Sequence, residues 1–180
     1  PPDIGLHEFL YFGKKEEFNF LYNLVRFSNI DSTNIYTFDF YNDSLIIADS
    51  MKLIMSFVLD SIKQNADFQL RYFPDGGDSV FNELTTNYTN FNQSSASSII
   101  SSTAMTVDSI DSVTTQVRLN FLMDTTIINV FKDTSFTSFN SSFLVELKTG
   151  NSSEFKYFSS NNLSNPPKLR VYYRKLLSDS

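Results

Sequence analysis

Near its carboxyl end the chain reads Asn165-Pro166-Pro167-Lys168-Leu169-Arg170-Val171-Tyr172-Tyr173-Arg174. Proline lacks an amide hydrogen, so the proline pair suits the entrance of a strand and not its middle. Side chains then alternate with a period of two, which places Leu169, Val171 and Tyr173 on one face. The opposite face carries Lys168, Arg170, Tyr172 and Arg174. The stretch predicts a β-sandwich whose last strand is half buried.

Alternation of the same kind predicts further strands along the chain. They are expected at residues 9–12, 18–27, 36–40, 45–59, 68–72, 99–107, 113–121, 143–147 and 155–157. Asp124 suits the N-cap of one short helix over residues 125–132, with Ile127, Val130 and Phe131 as its buried stripe. The pattern predicts an all-β fold, an antiparallel jelly-roll β-sandwich with one short helix. Residues 9–174 would form the single domain, between a lead-in at 1–8 and a tail or linker at 175–180.

Composition limits the classes of function. The 180 residues include 19 Phe, 9 Tyr, no Trp and no Cys, and the net charge is −6. The absence of cysteine excludes disulfides, thiolate metal sites and a cysteine nucleophile. Basic residues are too sparse to follow a phosphate backbone, so nucleic acid is not an expected partner. Apolar runs such as residues 45–48 are too short for a membrane span.

Five segments follow the order found in one known family. They are Leu24-Val25-Arg26-Phe27, residues 47–53, Phe81-Asn82-Glu83, residues 126–131, and the stretch from Ser159 to Tyr173 with its prolines. Together they resemble the DNRLRE-type domains, which are also grouped as carbohydrate-binding module family 96. The resemblance implies a non-catalytic module of a secreted or cell-surface protein. It also implies a polysaccharide, in some relatives an acidic one, as a partner.

Candidate ligand-binding residues are aromatic or basic. Exposed rings stack on sugar rings, and guanidinium groups bind anionic substituents. The candidates are Tyr36, Tyr41, Tyr72, Tyr88, Arg170 and Arg174. The same residues are also explained as the cover of a core edge, or as solvated charges on an edge strand.

Catalytic and metal-binding patterns are sparse. His7 is the only histidine and stands without a supporting motif, so it is expected to be exposed and without a role in catalysis. Asp75, Asp78 and Glu83 would offer oxygen ligands to Ca²⁺, whereas turn formation around Gly76-Gly77 explains the two aspartates equally well. No other cofactor is expected, and the chain is not expected to be an enzyme.

Two functions from different classes therefore stay open. The first is a structural or adhesive surface module that associates with its own copies or with neighbouring domains, in a surface assembly or a filament, through strand edges and aromatic patches. The alternative is a carbohydrate-binding module for a polysaccharide, which is anionic if the strand arginines take part.

Overall fold

The structure is a computed structural model, and it describes residues 7–28, 46–58, 62, 64–73, 96, 99–105, 116–123, 140–150 and 152–177. These residues form ten strands. In chain order they are β1 (Phe9–Lys15), β2 (Phe18–Phe20), β3 (Tyr22–Ser28), β4 (Ile46–Val58), β5 (Ala66–Tyr72), β6 (Ser101–Met105), β7 (Gln116–Met123), β8 (Asn140–Leu147), β9 (Glu154–Phe158) and β10 (Lys168–Lys175).

The strands form two sheets. The six-stranded sheet has the order β10-β4-β9-β1-β2, with β7 paired to β4 off this path. The four-stranded sheet has the order β3-β8-β5-β6. Every pair among the described strands is antiparallel. The predicted all-β, antiparallel architecture is confirmed at this level.

The long strand β4 organises the six-stranded sheet. Both β10 and β7 pair with residues 51–54 of β4, so they must occupy opposite edges of it. Phe57 pairs with Val117 of β7 and also with Tyr157 of β9. Strand β9 therefore shares an edge of β4 with β10, and the two lie end to end along that edge.

The predicted strand over residues 18–27 is wrong in one respect, because the chain changes sheets within it. Phe18–Phe20 pairs with β1 in the six-stranded sheet, whereas Tyr22–Ser28 pairs with β8 in the four-stranded sheet. At the change, the Leu21 carbonyl accepts a hydrogen bond of 2.8 Å from the amide of Leu147. Local alternation does not reveal such a change, because each half satisfies a two-residue period by itself.

Gly13 allows β1 and β9 to approach closely. Its φ is +79°, and a Cβ at this position would lie 1.9 Å from the carbonyl oxygen of Ser153. The amide of Lys14 donates a 3.0 Å hydrogen bond to the same oxygen. Only glycine combines this left-handed conformation with the absence of a side chain.

One hydrophobic core joins the two sheets. Phe68 of β5 is fully buried in the four-stranded sheet. Its ring centroid lies 5.2 Å from that of Phe12, 5.7 Å from Phe57 and 6.1 Å from Phe155. These three rings belong to β1, β4 and β9 of the six-stranded sheet. Edge-to-face and tilted contacts of this kind add to the burial of aromatic area.

The predicted helix at residues 125–132 lies outside the described residues, and the strand predicted at 36–40 does too. The described part of the chain contains no helix. No helix long and apolar enough to span a membrane occurs within it.

Tyr157→Phe is expected to stabilise the protein by about 1–2 kcal/mol. The Tyr157 hydroxyl is buried and has no hydrogen-bond partner among the described residues, and burial without a partner costs roughly this much. Urea unfolding would measure the gain. Tyr22→Phe, which alters a 40% exposed ring, should change the free energy of unfolding by less than about 0.5 kcal/mol. A loss of stability in Tyr157→Phe would contradict the assignment.

Burial of the Tyr157 phenol also predicts that the folded protein loses stability at alkaline pH. Burial raises the pKa of this phenol well above its ordinary value of 10.0. The unfolded chain therefore releases this proton above about pH 10 while the folded protein keeps it, so stability falls by about 1.4 kcal/mol per pH unit there. Tyr157→Phe should remove the part of this pH dependence that comes from Tyr157. Unfolding midpoints of the wild type and the variant, measured from pH 9 to 11, would show the difference.

Candidate functional site

The six-stranded sheet has one face toward the core, and its opposite face is exposed on β10 and β7 but buried at Ile54 and Ser56 of β4. On β4, the core-facing residues Met51, Leu53 and Met55 are buried. Their neighbours in the sequence point the other way, and antiparallel pairing continues both faces across the sheet. We call the side of β10, β4, β7, β9, β1 and β2 that lies opposite the core the outward face.

The outward face carries most of the lysines and arginines that the structure describes. Seven of the 14 lysines and arginines lie on it, in an otherwise acidic chain of net charge −6. They are Lys15, Lys52, Arg118, Lys156, Lys168, Arg170 and Arg174. Among the described residues, two carboxylates, those of Asp49 and Glu154, share this face. The face is strongly cationic although the whole chain is anionic.

Two cations oppose each other at its centre. Arg170 of β10 pairs directly with Lys52 of β4, and both side chains belong to the outward face. Like charges directly opposite on neighbouring strands destabilise a sheet. Tyr172 offsets part of this repulsion, because Lys52 Nζ lies 5.3 Å from the centroid of its ring. The sequence thus keeps a like-charge pair that folding alone does not favour.

A β-bulge shapes one end of β10. Tyr172 pairs with Ser50 and Tyr173 with Ala48, so Asp49 is an extra residue on β4. Its carboxylate accepts a hydrogen bond of 2.9 Å from Arg174 Nε. Both side chains are exposed, so this ion pair contributes little stability. It orients Arg174 along the outward face.

Four cations of the outward face have no ion pair with any carboxylate that the structure describes. Within the described ranges, no ion pair is found for Lys52, Arg118, Lys168 or Arg170. Arg118, Lys168 and Arg170 are exposed.

Aromatic rings dominate the other end of the face. The rings of Phe9 and Phe158 lie 5.1 Å apart between centroids, and Lys156 Nζ lies 3.9 Å from the centroid of Phe9. Lys15 Nζ lies 3.2 Å from the ring centroid of Tyr11. On β2, Phe18 is 59% exposed. These contacts form a surface in which rings and ammonium groups alternate.

The predicted ligand-binding residues are separated by the fold. Arg170 and Arg174 lie together on the outward face. Tyr72 lies on β5 of the other sheet and packs against the core. Arg71 beside it contacts Glu146 in an ion pair of 3.6 Å. The other predicted residues lie outside the described ranges, namely Tyr36, Tyr41, Tyr88 and the calcium candidates Asp75, Asp78 and Glu83.

Two further predictions concern catalysis at His7 and the binding of a metal ion. His7 is exposed, as expected, and its carbonyl accepts a hydrogen bond from the Ser159 hydroxyl. Among the described residues, no three histidine, aspartate or glutamate side chains come close enough to hold a metal ion. The calcium prediction is not tested by this finding, because its three residues are not described.

Residues missed from the sequence include Lys52, Lys156 and Phe18. The two-residue alternation of β10 predicts that Lys168 and Tyr172 lie on the same face as Arg170. That part of the outward face is therefore predictable from the sequence. Placing Lys52 opposite Arg170 requires the register between two strands more than 100 residues apart in the chain. No local signal carries that register.

Arg170→Gln is expected to raise the pKa of Tyr172. Arg170, as a hydrogen-bond donor to the phenol, lowers this pKa below its ordinary value, and Lys52 adds to the effect. The difference in absorbance at 295 nm between each protein and its Tyr172→Phe counterpart isolates this titration. Arg174→Gln is the control, because its guanidinium pairs with Asp49. An unchanged Tyr172 titration in Arg170→Gln would contradict the described geometry.

Comparisons with known proteins assign no family. No protein-family model matches the chain, and no curated protein matches its sequence. The resemblance to DNRLRE-type domains therefore stays a prediction.

Proposed function

We propose that the chain is a non-catalytic binding module that holds an anionic polysaccharide on its outward face. One observation carries the proposal. Lys52 and Arg170 face each other across two strands, with no carboxylate paired to either among the described residues. Sites that break a local rule of stability are often functional. An external carboxylate or sulfate group would relieve this repulsion and gain charge-assisted hydrogen bonds.

The aromatic rings favour a sugar polymer among anionic ligands. Phe9, Phe158 and Phe18 offer ring faces on the same side of the sheet as the cations. Aromatic faces stack on the apolar faces of sugar rings while polar neighbours bind the substituents. A sheet surface also accommodates an extended chain without a deep pocket.

The proposed fold and cellular location follow from the resemblance of the sequence to DNRLRE-type domains. We propose a jelly-roll β-sandwich of the DNRLRE type, in a secreted or cell-surface protein. The two antiparallel sheets with a common core support this topology. A role in adhesion to a polyanionic surface is consistent with the same face.

The cations of β10 disfavour self-association of two copies through this strand. If two copies of β10 paired antiparallel, Lys168, Arg170 and Arg174 of one strand would meet cations or Tyr172 of the other. Opposed like charges destabilise such a pair. The polysaccharide alternative therefore becomes our main proposal.

Affinity electrophoresis tests the proposed function. Gels would contain either polygalacturonate as the anionic polymer or dextran as the neutral one, each with and without Ca²⁺. We expect polygalacturonate to retard the protein, added salt to weaken the retardation, and dextran to have no effect. Absence of retardation by polygalacturonate under every condition, or equal retardation by dextran, would refute the proposal.

A further inference from the structure

The outward face is elongated along β4. Strand β10 pairs with one edge of β4 from residue 46 to residue 54, and β9 pairs with the same edge at Phe57. Strands β1 and β2 continue the sheet beyond β9. The outward residues of β10 and those of β9, β1 and β2 therefore follow one another in the strand direction.

These two parts of the face differ in chemistry. We define the cationic zone as Lys52, Lys168, Arg170, Tyr172 and Arg174. We define the aromatic zone as Phe9, Tyr11, Phe18, Phe20 and Phe158, together with Lys15 and Lys156. The cationic zone has four cations and one ring, whereas the aromatic zone has five rings and two lysines.

The lysines of the aromatic zone already have aromatic contacts. Lys156 Nζ lies 3.9 Å from the ring centroid of Phe9, and Lys15 Nζ lies 3.2 Å from that of Tyr11. Their positive charge is partly balanced by the negative faces of these rings. Ring surface, and above all the 59% exposed Phe18, is what this zone offers to a ligand.

We infer that the ligand is a long polymer that lies along the strand direction and contacts both zones at once. This inference rests on the proposed function and specifies the size and orientation of the ligand. Phe57 pairs with Tyr157, which places Lys156 level with Val58, six residues along β4 from Lys52. These two members of the zones are therefore about 20 Å apart at 3.3 Å per residue. That distance is much longer than a single sugar ring. Anionic groups would bind at the cationic zone, and ring faces would stack at the aromatic zone.

Titration calorimetry with galacturonate of increasing length tests the inference. The ligands are the monomer, a trimer and polygalacturonate, and the proteins are the wild type, Phe18→Ala and Tyr22→Ala. Tyr22→Ala is the matched control, because it removes an exposed ring from the four-stranded sheet. We expect Phe18→Ala to weaken polymer binding about fivefold to tenfold. It should leave trimer binding unchanged, and Tyr22→Ala should affect neither.

The outcomes separate this inference from the proposed function. Tighter binding of the polymer than of the trimer, lost in part in Phe18→Ala alone, would support the inference. Equal affinity for trimer and polymer per binding site, or no effect of Phe18→Ala, would overturn the inference and leave the proposed function standing. Absence of binding at every length would overturn both.

Discussion

Phe68→Ala is expected to lower the free energy of unfolding by about 3–5 kcal/mol, the range for truncating a buried phenylalanine. Phe68 is fully buried and contacts Phe12, Phe57 and Phe155. These contacts link the four-stranded sheet to three strands of the other sheet. The cavity would therefore lie between the two sheets. Neither sheet can fill it without moving a whole strand.

Urea or guanidinium unfolding would measure this loss. Phe68→Leu is the conservative variant and should recover most of the stability, because it keeps much of the volume. Phe18→Ala, at a 59% exposed ring of the same residue type, should cost less than about 1 kcal/mol. Similar losses for Phe68→Ala and Phe18→Ala would show that the sheets do not share a core at Phe68.

The double variant Lys52→Gln/Arg170→Gln is expected to weaken polygalacturonate binding about 30- to 100-fold. This loss corresponds to about 1–1.4 kcal/mol for each cation, which lies below the usual range for hydrogen bonds to charged groups because both act at a solvated surface. Folding should not suffer, because the change removes a like-charge pair across β4 and β10. A large loss of binding without a loss of stability would show that Lys52 and Arg170 act in binding and not in folding.

The matched control for this variant is Lys14→Gln/Lys148→Gln. It changes the net charge by the same amount, and both lysines are exposed away from the outward face. Lys148 pairs with Glu146, which keeps Arg71 as a partner. If both double variants weakened binding equally, net charge and not the outward face would govern the interaction.

Local alternation predicted β10 and β4 well. In β10, Leu169 and Val171 pack against the core as expected from their spacing. The same prediction is wrong for Tyr173, which follows the β-bulge and is 49% exposed. In β4, the predicted strand at 45–59 corresponds to Ile46–Val58. Both predictions succeed because a period of two is a property of neighbouring residues, and a buried face fixes it strongly.

Long-range pairing could not be predicted in the same way. The change of sheet at Leu21 depends on its hydrogen bond to Leu147, far along the chain. The cationic face depends on the registers that bring β10, β7 and β9 to β4. The strand position of Arg170 identifies it from the sequence as a candidate, whereas Lys52 joins the site through the strand register alone.

Lysine footprinting tests the central claim most directly. The protein is acetylated briefly with and without polygalacturonate, and mass spectrometry gives the rate at each lysine. The proposal predicts severalfold slower modification of Lys52 and Lys168 in the presence of the polymer, unchanged rates at Lys14 and Lys148, and no protection by dextran. Equal protection of all four lysines, or protection confined to Lys14 and Lys148, would contradict binding at the outward face.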